Sequence, residues 1–455
     1  MSQKETNTAA AQSFMKLFHE NEHLLINGTH PVVNESRKHA IAFFEKNGLP
    51  DKKSENYKYS DIVSLFSEPY SKFLEPQTID VDLNDVFRCD VPELDTHLVL
   101  LINSWYYQGN KPLQGLPEGV IVGSLADNIN KYPDIINKYY HQLADKYTDS
   151  LSALNSAFAR DGIFIYVPRG VVIEKPIQIV NIMRSDSSTF AQQRNLIIME
   201  ENSQAKVIIC DHTLSPHRYL TNTLSEIYIH KNTVFDYYNV QNEHNDSSLI
   251  TNTYIRQHTG SELHAAAISL HGGFIRNNLH VDMDEPNCSS NVYGMFLTDQ
   301  NQHIDNFTRI NHSQPDCNSK QLYKGILDND ATGVFNGRIF VARDAQQTNA
   351  FQANNNILMS GTSRMRSKPQ LEIYADDVKC SHGATVGRLD ENALFYLRAR
   401  GIPEKEARLM LMYAFADAII EKVRVKPLRE RIIDLVDKRL RGEFTRCHYC
   451  CMKCN

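Results

Sequence analysis

IFIYV (Ile163–Val167), NLIIME (Asn195–Glu200), KVIIC (Lys206–Cys210), EIYIH (Glu226–His230) and VFDYYNV (Val234–Val240) open the stretch whose reading decides the fold. LITNTYIR (Leu249–Arg256), GVFNGRIFVA (Gly333–Ala342) and LEIYA (Leu371–Ala375) carry it on to about Cys380. Each run is short and rich in β-branched and aromatic residues, and the gaps between runs hold Asn, Asp, Gly and Ser. No convincing amphipathic helix interrupts the segment. Many short strands of even spacing suit a sandwich, a barrel or a β-solenoid. No hexapeptide or nonapeptide repeat is legible, so period alone does not choose among them. Abundant asparagine in the turns is compatible with stacked side-chain ladders.

Outward from this β region, both flanks read as helical. Toward the N-terminus, Phe14, Leu17, Phe18, Leu24 and Leu25 recur at helical spacing. Asn34 is a candidate N-cap for a helix over Glu35–Lys46, closed by Gly48 and Pro50. Residues 76–125 read as short strands and loops, including HLVLLINSWYY (His97–Tyr107). Residues 126–160 return to helix, with Leu143, Tyr147, Leu151, Leu154 and Phe158 on one face. Beyond Gly387, a helix over Glu391–Arg400 ends with Gly401 at C′. Pro403 fits the first position of a second helix, with Glu404 and Glu406 in the first turn. Leu409, Met412, Tyr413, Ala416 and Ile420 form its stripe. Pro427 opens a third helix, striped by Leu428, Ile432, Leu435 and Val436. Four parts follow: a mixed helical region (1–160), a β core (161–387), a helical region (388–445) and a cysteine-rich tail (446–455).

Composition narrows the class. At 455 residues, 42% hydrophobic and 22% charged, the chain has the make-up of an ordinary globular protein with a large core. A net charge of −6 gives no reason to expect nucleic-acid binding. The longest strongly apolar stretch, Leu409–Ile420, is broken by Asp417 and is too short to span a bilayer. The N-terminal MSQKETNTAAAQ lacks an apolar signal core. A cytoplasmic location without membrane insertion is expected. Scattered single cysteines in such a chain are normally reduced, buried and inert.

Several residues have the chemistry of ligands. Cys380 and His382 are two residues apart at the end of a β run, so in regular strand geometry they point the same way. A thiolate and an imidazole suit borderline or soft metals and iron–sulfur centres. On its own, a Cys–X–His is most often a buried thiol beside a hydrogen-bonded histidine. His303, His312 and Cys317 in QHIDNFTRINHSQPDC are better read as turn and rung residues. The tail CHYCCMKC supplies Cys447, Cys450, Cys451 and Cys454, with His448 as a substitute ligand. Its two C-x-x-C units abut, which strains closure around one ion, so a thiol-rich tail without a metal is the commoner outcome. There is no G-x-x-x-x-G-K-[ST] loop, G-x-S-x-G elbow or H-E-x-x-H helix.

The string KCSHGATVGRLDENALFYLRARGIPEKEARLMLMYAFADAII, from Lys379, resembles the C-terminal signature of the SufB/SufD family of iron–sulfur cluster assembly proteins. GLPDKKSENYKYSDI from Gly48, LPEGVIVGSL from Leu116 and ALNSAFARDGIFIYVPRGVVIEKPIQIV from Ala153 look like the same family, so the resemblance covers most of the chain. It implies a mainly β protein with a right-handed parallel β-helix core between helical flanks. It implies a non-catalytic scaffold, closest to the SufD side of the family, that pairs with a SufB-type paralogue and binds a SufC-type ATPase. A nascent iron–sulfur cluster would be shared with the paralogue, none being held tightly by the isolated chain, with His382 as the chief ligand and Cys380 beside it. The ATPase would dock on the C-terminal helices, with Arg398, Arg400, Gly401, Pro403, Glu404 and Met412 among the contacts. The tail departs from the family pattern. Two alternatives stand beside this reading: a carbohydrate-active enzyme working in a β-solenoid groove, and a structural homodimer without a metal role.

Overall fold

The computed structural model describes residues 3–72, 74–77, 94–147, 149–214 and 216–443. Among the described residues, strands form two ten-stranded sheets, and the chain alternates between them. One sheet runs from Ile121–Ser124 to Arg364–Ile373, the other from Trp105–Tyr106 to Val378–Gly387. Neighbours within each sheet are parallel, apart from the short antiparallel strands at the N-terminal end. This is a parallel β-solenoid of about eight turns, one strand per sheet in each turn.

The turn chemistry explains the repeat. Residues with positive φ recur at Asn202, Asn232, Gly260, Asn287, Asp316 and Gln347, 27 to 31 residues apart. Left-handed backbone is least costly for Gly, then Asn and Asp, so one such residue ends each turn of the coil. Asparagines ladder in the turns, where Asn232 donates to Asn202 (3.1 Å), and also within the strands, where Asn278 donates to Asn252 (2.8 Å) and Asn252 to Asn222 (3.0 Å).

The flanks cover the outer faces. Helices α1 (Gln3–Ile26), α2 (Pro31–Asn47) and α3 (Ile62–Phe66) pack with α7 (Ser150–Phe158) on the first sheet, through Phe14, Phe18, Phe44, Leu154 and Phe158. Three short helices precede α7: α4 (Leu125–Lys131), α5 (Pro133–Tyr139) and α6 (Ala144–Tyr147). At the other end lie α8 (Glu391–Ala399), α9 (Glu404–Ile420) and α10 (Lys426–Arg441). Leu409, Met412, Ile419, Leu428, Ile432 and Val436 bury against Val240, Ile268 and Met295 on the second sheet. Arg439 grips Asp299 with both guanidinium nitrogens at 2.7 Å.

Three expectations need correction. Asn34 is not the N-cap of α2: the helix begins at Pro31, His30 Nδ1 accepts from the Val32 amide, and Asn34 donates to the Ile26 and Thr29 carbonyls. The run His97–Tyr107 forms two short strands, as expected, joined where Asn103 and Ser104 both take positive φ and fold it into a hairpin. The single face over 126–160 does not exist. Pro133 starts a new helix and Asp149 caps another, so Leu143 joins a cluster with Phe164 while Leu151, Leu154 and Phe158 join Phe14. Pro403 sits one place earlier than expected, at the N-cap of α9.

Candidate functional site

The last turn of the solenoid is built from Arg364–Ile373 and Val378–Gly387. Each strand pairs on one side only, with Thr332–Val341 and Thr348–Leu358 respectively. In-register pairing sets Cys380 over Ala350 and His382 over Gln352, both buried. Parallel partners share a face, so Cys380, His382, Ala384 and Val386 line the lumen side of the final strand. Among the described residues no further turn closes over them, and the strand is exposed from Ser381 to Gly387.

The two expected ligands thus share a face but differ in environment. Cys380 is half-buried in a small apolar cluster with Ile339, Val341, Ala350 and Ala375. Burial pushes its thiol above the ordinary cysteine range, partly offset by a backbone hydrogen bond from Ala350. It is therefore a thiol at neutral pH, and a metal that binds it must displace a proton. His382 is exposed at the mouth of the lumen. Val386 and Ile373, at 47% and 39% exposure, lie on the same two final strands, and Phe351 and Tyr374 are exposed on the last turns. Exposed apolar residues on the strands that carry two soft donors suit a second protein surface better than water.

Among the described residues, no group of three or more His, Cys, Asp or Glu is placed to hold a metal ion. Cys380 and His382 are two ligands of an incomplete set. The tail residues Cys447, His448, Cys450, Cys451 and Cys454 lie outside the described residues. His303 and His312 occupy opposite ends of one strand, so the three-residue group is not brought together. His303 stacks on Phe274 and lies 3.2 Å from Ser60 Oγ. His312 lies 2.8 Å from Ser319 Oγ, and Cys317 neighbours Cys288 from the turn before. Both thiols donate to the Glu285 carbonyl, at 3.4 and 3.1 Å, and their contact pushes Cys317 down and Cys288 up. Sequence reading passed over Cys288, although its spacing from Cys317 matches the repeat of the turns.

The proposed docking residues divide. Arg398, Arg400, Gly401, Pro403 and Glu404 are exposed at the corner between α8 and α9, where Glu404 meets Arg398 (3.4 Å) and Arg408 (3.0 Å). Gly401 takes φ +86, the C′ conformation its position called for. Met412 does not belong with them, because it is buried between α9 and the second sheet. The apolar residues that α8 and α9 leave exposed are Phe395 (73%), Tyr396 and Met410.

Polar residues inside the coil were also missed. Gln352, Asn354 and Asn356 occupy lumen positions below the final strand. The alternation in TNAFQANNNIL places them there once the strand is known. Deeper in the lumen, Asp211 and Glu243 approach each other beside Tyr219. Burial pushes Asp211 up to about 6 and Glu243 well above its ordinary value. These carboxyls face the inside of the coil, not a solvent-facing groove of the kind polysaccharide cleavage needs.

Two family models match the chain. The one described as SUF system FeS cluster assembly, SufBD core domain, matches residues 181–415, and the SufBD protein N-terminal region matches residues 8–179. The chain belongs to the SufBD family of iron–sulfur cluster assembly proteins. Within the family it is similar to the iron–sulfur cluster assembly protein SufD of Escherichia coli, 29% identical over 87% of this chain and 90% of that one. A SufBD family protein of Synechocystis is 27% identical over 92% of this chain and 94% of its own length. The chloroplastic protein ABCI7 of Arabidopsis thaliana is 27% identical over 84% and 81%. No helix among the described residues is long and apolar enough to cross a membrane.

Proposed function

We propose that this chain is a SufD-like, non-catalytic scaffold subunit working in the cytoplasm. It supplies His382, and beside it Cys380, to a nascent iron–sulfur cluster whose other ligands come from a SufB-type paralogue. The cluster is cargo, assembled and passed on. The observation that carries this reading is the open last turn: two soft donors on the lumen face of an edge strand, with exposed apolar residues on the same turns. Edge strands invite pairing with another chain, and an incomplete ligand set invites completion by it. A self-paired homodimer through the same edge is the assembly expected when the chain is expressed alone.

The corner of α8 and α9 is the proposed dock for a SufC-type ATPase. Phe395, Tyr396 and Met410 provide the apolar contact, with Arg398, Arg400 and Glu404 at the rim. Asp390 caps α8 and lies three residues beyond the final strand, so force on α8 is applied to the end of the strand that carries His382. ATP-driven movement of the ATPase would thereby open or reshape the paired edge.

The test is coexpression with SufB-type and SufC-type subunits, copurification, and anaerobic measurement of iron and sulfide. His382→Ala is expected to keep the complex together and lose most of the cluster. An unchanged cluster yield would sink the ligand assignment.

A further inference from the structure

We propose that Gln352 is the positioning residue for His382. Its side-chain carbonyl accepts the N–H of one imidazole nitrogen and leaves the lone pair of the other directed at the incoming metal. This inference rests on the reading of His382 as a ligand.

Three observations carry it. First, Gln352 is the in-register partner of His382, so the two side chains leave the same face of adjacent strands about 4.8 Å apart. Second, Gln352 is 3% exposed, and neither Oε1 nor Nε2 has a hydrogen-bond partner. On the same lumen face Asn356 donates to Asn354 at 2.8 Å and Ser367 donates to Asn354 Oδ1 at 2.7 Å, while Gln321, in register one turn down, accepts from Thr308 (2.8 Å) and leaves only its Nε2 without a partner. Third, the opposite sheet makes room for the amide. A Cβ on Gly337 would lie 2.4 Å from Gln352 Nε2, so a side chain there would push the glutamine aside.

A buried amide with both ends idle is rare in a folded protein. Here it lies beneath the one imidazole at the mouth of the lumen. A histidine that binds a metal through one nitrogen carries its proton on the other, and an acceptor on that proton fixes both tautomer and ring direction. A neutral carbonyl does this without adding charge beside the Cys380 sulfur. The exposed His382 ring has only to turn inward for its N–H to reach the idle Oε1.

The experiment uses the full chain copurified with its SufB-type and SufC-type partners. Gln352→Leu removes the acceptor at similar volume, Gln352→Glu keeps one, and His382→Ala removes the ligand. The readouts are cluster yield and the nitrogen couplings of the reduced, paramagnetic cluster by pulsed EPR. In the native complex, an imidazole coupling that His382→Ala abolishes is expected. Gln352→Leu should keep that coupling, change the quadrupole signature of the remote nitrogen, and lower iron affinity by about 10- to 100-fold. Gln352→Glu should restore most of the yield. Native yield and an unaltered remote-nitrogen signature in Gln352→Leu would overturn the role of Gln352 with the ligand reading intact, as would a lost yield with that signature unaltered. Absence of any imidazole coupling in the native complex would overturn both. If Gln352→Leu fails to fold, a loss of yield in Gln352→Asn, whose shorter carbonyl falls short of the ring, carries the test, and native yield in it overturns the role.

Discussion

The strands Phe274–Met283 and Val378–Gly387 have the same length, yet the first is buried at nearly every position and the second exposed at most. The middle strand has a parallel neighbour on each side, lumen side chains above and below, and its outer face under the N-terminal region. Among the described residues, the last strand has one neighbour, an open lumen and an exposed surface. The propensity of the two sequences contributes little to this difference, because strand burial follows from what is stacked beyond it. A solenoid gains stability turn by turn from its neighbours, so its final turn is the least stabilised part and the natural place for a surface that must meet another protein. The expected ligands are there, and the costly polar groups that hold the fold are elsewhere.

That contrast is sharpest at Arg194, which sits at 1% exposure against an equally buried Glu226, at 2.5 Å. Glu226 also accepts from the backbone amides of His141, Leu143 and Ala144, tying the α5–α7 segment to the first sheet. Arg194→Met strands a buried carboxylate and is expected to cost about 3–5 kcal/mol in denaturant unfolding. His382→Ala, by the same measurement, should stay within about 0.5 kcal/mol. Similar costs at the two sites would erase the distinction drawn between core and open end.

Glu243 gives a second, smaller test inside the closed coil. Its carboxyl is buried with neither oxygen in a well-formed hydrogen bond, and desolvation together with the Asp211 charge raises its folded pKa well above 4.5. A carboxyl raised on folding favours the folded state only while protonated, so the native chain loses this stability as pH rises above the unfolded value. Glu243→Gln keeps the shape and cannot ionise. The variant should match the native melting temperature near pH 4.5 and exceed it at pH 8, by the equivalent of about 1–3 kcal/mol. A difference independent of pH would show that the carboxyl does not face the lumen as described.

Much of this was legible in the chain. Short β-branched runs marked the strands from Thr189–Met199 to Ser247–Gln257, with Thr332–Val341 and Arg364–Ile373, but not those from Glu262–His271 to Asn318–Leu327 or Thr348–Leu358; the stripe Leu428, Ile432, Leu435 and Val436 proved to be the buried face of α10. The repeat was not, because its marker is a backbone conformation and not a residue: Asn, Gly, Asp and Gln all serve at the left-handed position. The i, i+2 spacing placed Cys380 and His382 on one face. It could not tell that the lumen ends there, since that depends on how many turns the chain completes. Gln352 lies thirty residues before His382 and becomes its neighbour only once the register is set. Met412 was misassigned because an apolar stripe does not say whether it faces its own sheet or a partner.

The turn marker itself can be tested. Asn232 holds φ at +56, donates to Asn202 Oδ1 across the rungs at 3.1 Å, and sits against Gly260 on the next turn. Asn232→Ile forces a β-branched residue into left-handed backbone and should cost about 1–2 kcal/mol. Asn232→Gly should stay within about 0.5 kcal/mol, since the lost hydrogen bond is exposed and the backbone prefers glycine there. Equal costs for the two would mean that the side chain, not the conformation, sets the period.

The smallest expected change in stability belongs to the last strand, and it is the most informative about pairing. Val386 is 47% exposed on the lumen face, on the same side as His382. In the isolated chain, Val386→Asp exchanges an exposed methyl pair for a solvated carboxylate and should move the unfolding free energy by no more than about 0.5 kcal/mol. In the complex, the same carboxylate would be desolvated without a partner, and binding to the SufB-type subunit should weaken at least tenfold, or about 1.4 kcal/mol. A matching charge on Lys379, whose side chain leaves the opposite face of the strand and is exposed, serves as the control: Lys379→Glu changes charge at the same edge without entering the lumen. Loss of binding by Val386→Asp alone places the partner across the open lumen. Equal loss by both variants would move the interface to the side of the sheet, and no loss by either would leave the final turn solvent-exposed in the assembly and remove the partner from His382.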